Sequence, residues 1–163
     1  MNWQEKGFFT EDHADVNAAM DELQTLLGVV RTKYESLNAA ELLQSPAPGK
    51  WSKQQVLGHL IDSAINNLKR FTDAQLQEQP YNIIAYQQDG LVAVNDYQQV
   101  SLHHLLMLWQ SLNQQIIFVA RKIPAEKLSY LVSPQYDDGE MKTLAWLICD
   151  YVAHLKHHLG ILF

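Results

Sequence analysis

The sequence contains a single cysteine, Cys149, among 163 residues. One thiol excludes an intramolecular disulfide framework and any metal site built from several cysteines. Basic residues are also scarce, because 12 lysines and arginines stand against 18 acidic residues and give a formal charge of −6. This balance argues against a nucleic-acid partner, whose phosphates would need cations, and against binding to an acidic membrane surface.

Long apolar runs and a leader pattern are missing as well. The apolar stretch at 144–149 is far shorter than the roughly 20 residues that span a bilayer. Residues 1–6 lack the basic start and apolar stretch of a signal peptide. We therefore expect a cytoplasmic protein that has no membrane partner. Hydrophobic residues make up 47% of the chain, enough for one domain spanning residues 1–163.

Apolar residues recur at steps of three and four along four segments, the spacing that places them on one helical face. This periodicity predicts helices at about 11–37, 52–73, 97–122 and 143–162. No convincing sheet pattern accompanies them. The sequence therefore predicts an all-α fold, a four-helix bundle with long inter-helix connections.

The connections between these helices differ in character. Two prolines and a glycine in 45–50 end the first helical pattern. Residues 80–96 show no periodicity, and 128–142 contains a weak signal for a short hairpin. Connections of this length argue against helices that are simple up-down neighbours throughout.

The second helix has a sharp predicted start. Ser52 and Gln55 have the spacing of a capping box, in which each side chain bonds to the backbone N–H of the other residue. Trp51 precedes the cap and is positioned to pack onto Val56 or Leu57.

Seven histidines are the unusual presence in this acidic chain. His154 and His158 are four residues apart, so their rings lie on one helical face and can reach a shared cation. His157 follows a more polar line, and we interpret it as a flanking residue. A helical pair of this kind is more often structural or exposed than metal-binding, so the pair alone leaves both interpretations open.

His59 in the second helix strengthens the metal interpretation. Its helical neighbours form a polar stripe that an ordinary core helix would not bury: Asp62, Ser63, Asn66 and Arg70. Three neutral imidazoles can hold a divalent cation with coordination positions left open, and zinc or nickel is the expected ion. Asp62 could orient a ligand from outside, or it could cap the helix or face solvent.

Two separated segments carry a family resemblance. Residues 49–64, continued by Asn66-Asn67 and Arg70-Phe71, resemble the second-helix signature of the DinB/YfiT-like superfamily. Residues 150–159 resemble its last-helix His-x-x-x-His signature. With the segment around Trp109, the similarity covers most of the chain from Gly49 onward.

The resemblance implies a four-helix bundle, a homodimer, and a divalent-metal triad on His59, His154 and His158. Characterised members include thiol-dependent S-transferases, which use bacillithiol or mycothiol, and thiol-dependent isomerases. Others are described as metal-dependent hydrolases. The chain departs from close relatives at Leu91, where they tend to have a tryptophan, so the identity of the substrate does not carry over.

Several further polar residues are candidates for the pocket. Asn66, Asn67 and Arg70 could bind a carboxylate or amide of a thiol cosubstrate, although a polar helix surface explains each of them equally well. Tyr86, Tyr97 and Tyr151 could donate hydrogen bonds near the metal. We interpret Cys149 as a small core residue, since no cation lies beside it in sequence to lower its pKa.

The remaining titratable residues are interpreted as bystanders. His13, His103 and His104 are expected at the surface or at helix caps. Asp137, Asp138 and Glu140 are expected in a solvated turn rather than in a second metal site.

Three functional hypotheses follow. The first is a divalent-metal-dependent enzyme with a three-histidine site, either a thiol-dependent S-transferase acting on a small electrophile with a low-molecular-weight thiol cosubstrate, or a hydrolase. The sequence offers no strong general base beside the proposed ligands, unless Asp62 or Asp89 folds over the metal, and this favours thiol chemistry. The second is a non-catalytic, stress-related bundle that binds a metal or a small ligand. The third is a structural bundle without metal.

Overall fold

The computed structural model describes residues 14–134 and 140–162. Four long helices dominate it: α1 (Val16–Glu35), α3 (Lys53–Asp73), α5 (Leu102–Arg121) and α7 (Leu144–Leu162). Three short helices connect them: α2 (Ala39–Leu43), α4 (Gln88–Asn95) and α6 (Ala125–Leu128). The predicted all-α four-helix bundle is confirmed.

The long helices are not arranged as consecutive neighbours. Helix α3 packs mainly against α5 and α7, and α1 also packs against α5 and α7. Helices α1 and α3, which follow each other in the chain, therefore lie diagonally across the bundle. This agrees with the expectation that the helices are not simple up-down neighbours throughout.

Side-chain caps set the helix starts. The predicted capping box of α3 is present, with Gln55 N–H donating to Ser52 Oγ and Ser52 N–H donating to Gln55 Oε1. Helix α1 begins at Val16 because the extended Asp15 caps it. The sequence predicted a helix from residue 11. Residues 14 and 15 are not helical, so the prediction is wrong for these two, and residues 11–13 lie outside the described residues.

The third long helix also begins later than predicted. Tyr97–Gln99 forms a separate 3₁₀ turn, and Val100 and Ser101 are extended. Ser101 Oγ then accepts a hydrogen bond from His104 N–H, so the α-helix begins at Leu102. The predicted start at residue 97 is therefore wrong, because the extended residues Val100 and Ser101 separate the 3₁₀ turn from the α-helix.

Two predictions are wrong: that the chain contains no sheet, and that residues 80–96 form an irregular connection. That connection contains strand β1 (Tyr81–Asn82) and helix α4. Strands β2 (Leu131–Ser133) and β3 (Lys142–Thr143) are antiparallel, which confirms the short hairpin, and β1 pairs with β2 in parallel. The three strands have only two or three residues each, which is too few to show an alternating pattern in the sequence.

The core fills the space between the four long helices. Its largest fully buried side chains include Trp109, Trp146, Tyr34 and Phe71. Cys149 is buried among them, and burial followed by the charges of Asp15 and Asp150 raises the pKa of its thiol to about 11. Its predicted role as a core residue is confirmed. Within the described residues, no helix has the length and hydropathy to cross a membrane.

At Gly58, helix α3 packs closely against the segment that follows α4. A Cβ atom at this position would overlap the ring of Tyr97, whose hydroxyl donates a hydrogen bond of 2.6 Å to Asp62 Oδ1. We expect Gly58→Ala to lower the free energy of unfolding by about 1–3 kcal/mol, since overpacking outweighs the better helix propensity of alanine.

Gly28→Ala in α1 is the matched control, because no atom lies within 4 Å of the added Cβ. There we expect a gain of up to about 1 kcal/mol from helix propensity. Urea unfolding of both variants measures the two changes. A Gly58→Ala variant as stable as Gly28→Ala would contradict the close packing.

Candidate metal centre

Three histidine rings converge between α3 and α7. His59 projects from α3, and His154 and His158 lie one turn apart on α7. The Nε2 atom of His154 is 3.4 Å from that of His59 and 3.0 Å from that of His158. Two nitrogens that are each about 2.1 Å from one ion, at tetrahedral or octahedral angles, lie about 3.0–3.4 Å apart. The observed spacing fits a shared divalent cation.

The chemistry of the three rings also fits a metal. Burial, and then the charge of His158, lowers the pKa of His59 to about 3. Burial, and then His157, lowers the pKa of His158 to about 4. The pKa of His154 is lowered well below its usual value, first by burial and then by the neighbouring histidines and Arg70. All three rings are therefore neutral at pH 7, which is the form that binds metal.

Asp62 does not orient His59. Its Oδ1 accepts hydrogen bonds from Tyr97 Oη at 2.6 Å and Asn95 Nδ2 at 3.1 Å. Asp62 Oδ2 and His59 Nδ1 are both buried without a hydrogen-bond partner among the described residues. Burial raises the pKa of Asp62, and the bonds from Tyr97 and Asn95 oppose that rise. Asp62 thus fastens the end of α4 to α3 beside the triad.

A cavity of about 820 Å³ reaches the triad at His158. Its wall is formed by residues from the loop before α3, the starts of α3 and α4, and the end of α7: Gln44, Pro46, Ala47, Gly49, Lys50, Trp51, Lys53, Val56, Gln87, Gln88, Asp89, Gly90, His158, Ile161 and Leu162. Trp51 also contacts the triad directly, since its ring centroid lies 4.9 Å from that of His59. The volume lies within the usual range for small-molecule sites.

Asn66 and Arg70 do not line this cavity. Asn66 Nδ2 donates a hydrogen bond to the backbone oxygen of Asp62. Arg70 donates to the backbone oxygen of Ile84 at 2.8 Å, and its guanidinium carbon lies 5.5 Å from the centre of the Tyr86 ring. Arg70 therefore secures the connection after β1, although its charge contributes to the lowered pKa of His154.

The hydroxyls of the three candidate tyrosines all have hydrogen-bond partners within the fold. Tyr151 Oη donates to Asn113 Oδ1 at 2.6 Å inside the core, and its ring contacts the edge of Phe71. The hydroxyl of Tyr97 is bonded to Asp62. Burial raises the pKa of Tyr86, and a hydrogen bond with Ser63 opposes this rise. None of the three lines the described cavity.

The predicted bystanders that the structure describes lie outside the triad. The ring of His157 is 5.7 Å from that of His158, and His157 is not part of the three-residue cluster. His103 and His104 are exposed, as predicted. Glu140 is exposed and pairs with Lys142. His13, Asp137 and Asp138 lie outside the described residues.

Most residues of the cavity wall were not predicted from the sequence. Lys50 and Lys53 were not singled out, and Trp51 was considered only as a helix staple. These residues follow no common period. The sequence signal for them was their position beside Ser52, the predicted cap at the start of α3. They meet through the fold of the 45–51 loop against α4 and α7.

Comparison with known proteins supports the same family. The model of the DinB superfamily matches residues 22–162. A protein of Halalkalibacterium halodurans named "Putative metal-dependent hydrolase" is 25% identical over 146 residues, which cover 90% of this chain and 83% of the relative. A protein of Oceanobacillus iheyensis with the same name is 23% identical, with 90% and 82% covered.

Solved structures share the fold. YfiT from Bacillus subtilis, described as a probable metal-dependent hydrolase with an unusual four-helix bundle topology, superposes with a TM-score of 0.80 at 20% identity, covering 98% of this chain and 89% of that one. The mycothiol-dependent maleylpyruvate isomerase superposes with a TM-score of 0.67 at 13% identity, covering 89% of this chain and 60% of that one.

Proposed function

Because this chain belongs to the DinB superfamily, we propose that it is a metal-dependent enzyme whose ion is held by His59, His154 and His158. The convergence of three neutral imidazoles, one of which (His158) lines a cavity of about 820 Å³, is the observation that carries this proposal. A divalent ion bound there would lower the pKa of a thiol or a water molecule that it contacts.

We propose thiol transfer to a small electrophile as the reaction. Cys149 is buried with a raised pKa, so the sulfur must come from a cosubstrate. The sulfur would form a bond to the electrophilic carbon, the leaving group would depart with its electron pair, and the thiol proton would pass to water. The cavity has the volume for a thiol and an electrophile together, and the fold shared with a mycothiol-dependent isomerase supports this choice.

The chain's own residues would prepare this site. The tilted ring of Trp51 packs against His59, which is fully buried, and adds an apolar side chain between that imidazole and the cavity. The hydrogen bonds from Tyr97 and Asn95 to Asp62 hold α4 in place, and α4 carries Asp89 on the cavity wall.

Hydrolysis is the second candidate. The names of the two bacterial relatives favour it, and Asp89 is the carboxylate that lines the described cavity. In a hydrolase, Asp89 could accept the proton of the attacking water. Thiol transfer does not need that base, because a thiol loses its proton far more readily than water.

The test compares two reactions on one protein. We expect metal near one equivalent per chain by elemental analysis, and conjugation of small thiols to 1-chloro-2,4-dinitrobenzene that His158→Ala abolishes. Asp89→Asn should leave conjugation within about twofold of the original rate, whereas it should lower p-nitrophenyl acetate hydrolysis by about 100-fold if Asp89 is a general base. Stoichiometric metal with neither reaction, across a panel of thiols and esters, would favour the non-catalytic alternative.

A further inference from the structure

The cavity beside the triad has an unequal charge distribution. Two lysines, Lys50 and Lys53, line it against one carboxylate, Asp89. The whole chain carries a formal charge of −6, so an excess of positive charge at the cavity is opposite to the average surface. The first turns of α3 and α4 bring partial positive charge to the cavity, and the last turn of α7, which also lines it, brings partial negative charge, so the two lysines account for the positive excess.

Local structure holds both lysines at the wall. Lys53 is the first residue of α3, and its backbone oxygen accepts a hydrogen bond of 2.9 Å from Tyr34 Oη. Lys50 ends a turn in which its N–H donates to the backbone oxygen of Ala47 at 3.0 Å. That turn includes Gly49 at a φ of +73°, a conformation that glycine adopts without strain.

The same cavity has an apolar wall. Trp51, Val56 and Ile161 line it together with the lysines, and His158 of the triad also faces it. A molecule in the cavity would therefore meet positive side chains, an apolar surface and the imidazole of His158. A negatively charged group with an apolar body matches this combination.

We propose that the cavity selects anionic small molecules, whose acidic group is held by Lys50 and Lys53 and whose apolar part lies along Trp51, Val56 and Ile161. This inference rests on the proposed function, since it names the substrate class of that site. The acidic group can belong to the thiol or to the electrophile, because the lysines recognise the charge.

Two fluorescent probes that differ by one charge test the inference without activity. 8-Anilinonaphthalene-1-sulfonate carries a sulfonate, and N-phenyl-1-naphthylamine has the same rings without it. We expect Lys50→Met and Lys53→Met each to weaken sulfonate binding about fivefold or more, since a charge-assisted hydrogen bond is lost. Binding of the neutral probe should change less than about twofold.

Two control variants test whether the effect depends on charge at the cavity. Lys122→Met removes the same charge from a residue that does not line the cavity, and both probes should bind it as they bind the unchanged protein. Ile161 is 61% exposed and lines the apolar wall, so Ile161→Ser should weaken both probes without unfolding the chain.

The outcomes separate this inference from the proposed function. Unchanged sulfonate binding in both lysine variants would overturn it, as would an equal loss for the two probes, which would indicate a change of shape. Zinc titration of the same proteins reports on the triad independently. Charge-selective probe binding without zinc binding would support the anion site and overturn the proposed metal enzyme. Zinc binding without charge-selective probe binding would support the metal site and overturn the anion site.

Discussion

Replacing His154 with alanine is expected to lower the zinc affinity of the chain by at least about 100-fold, more than the loss of an outer hydrogen-bond partner typically costs. His154 Nε2 is the atom that lies within 3.4 Å of both other triad nitrogens. Without it, His59 and His158 remain as two ligands, which is one fewer than a catalytic zinc site uses.

Thermal unfolding provides a second measurement of the same loss. A ligand at 100 times its dissociation constant adds about 2.7 kcal/mol to the stability of the folded state. For a chain of this size, that corresponds to a rise in Tm of about 5–10 °C on adding zinc or nickel. His154→Ala and His158→Ala should show almost none of this rise.

Two control variants separate a ligand from a neighbouring imidazole. His103→Ala removes an exposed ring at the start of α5 and should bind zinc as the unchanged protein does. His157→Ala removes the ring 5.7 Å from His158 and should have a small effect. If His157→Ala lost as much affinity as His154→Ala, His157 would be a ligand and the proposed triad would be wrong.

The candidate triad could be predicted because its evidence is local and periodic. His154 and His158 share a helical face by spacing alone, and the polar neighbours of His59 mark an unusual stripe on α3. The capping box at Ser52 and Gln55 was equally legible, since its two hydrogen bonds join residues three apart. That the two helices would face each other rested on the family resemblance rather than on periodicity.

The cavity wall could not be predicted, because its residues come from four segments with no common period. The role of Asp62 could not be predicted from its position on α3 either. Its place on the polar stripe suggested a role with the metal ligands, yet its partners are Tyr97 and Asn95, more than 30 residues further along the chain. Tertiary contacts decided its role.

Acid is expected to destabilise the metal-free chain steeply between pH 7.5 and 5.5. The pKa values of His59 and His158 are lowered to about 3 and about 4, against about 6.5 in an unfolded chain. As the pH falls through 6.5, the unfolded state therefore binds protons that the folded state does not. Stability is complete above pH 6.5 and is lost as the pH falls toward the folded pKa values.

The size of this loss follows from the same shifts. Each of these two histidines should remove about 1.4 kcal/mol from the free energy of unfolding between pH 7.5 and 5.5. His154 adds to the loss in the same direction, because its pKa is also lowered. Asp62 acts in the opposite direction, because burial raises its pKa and the folded state therefore takes up its proton more readily than the unfolded state does.

Urea unfolding of the chelator-treated protein at a series of pH values measures the slope. His158→Gln should reduce the pH dependence of the free energy of unfolding by the contribution of one histidine. His103→Gln, which changes an exposed ring, should leave that dependence unchanged. Zinc should protect the folded state in the same window, because the ion competes with protons for the imidazole nitrogens. A metal-free chain with constant stability from pH 7.5 to 5.5 would mean that the three rings accept protons when folded, and their buried, neutral state would then be wrong.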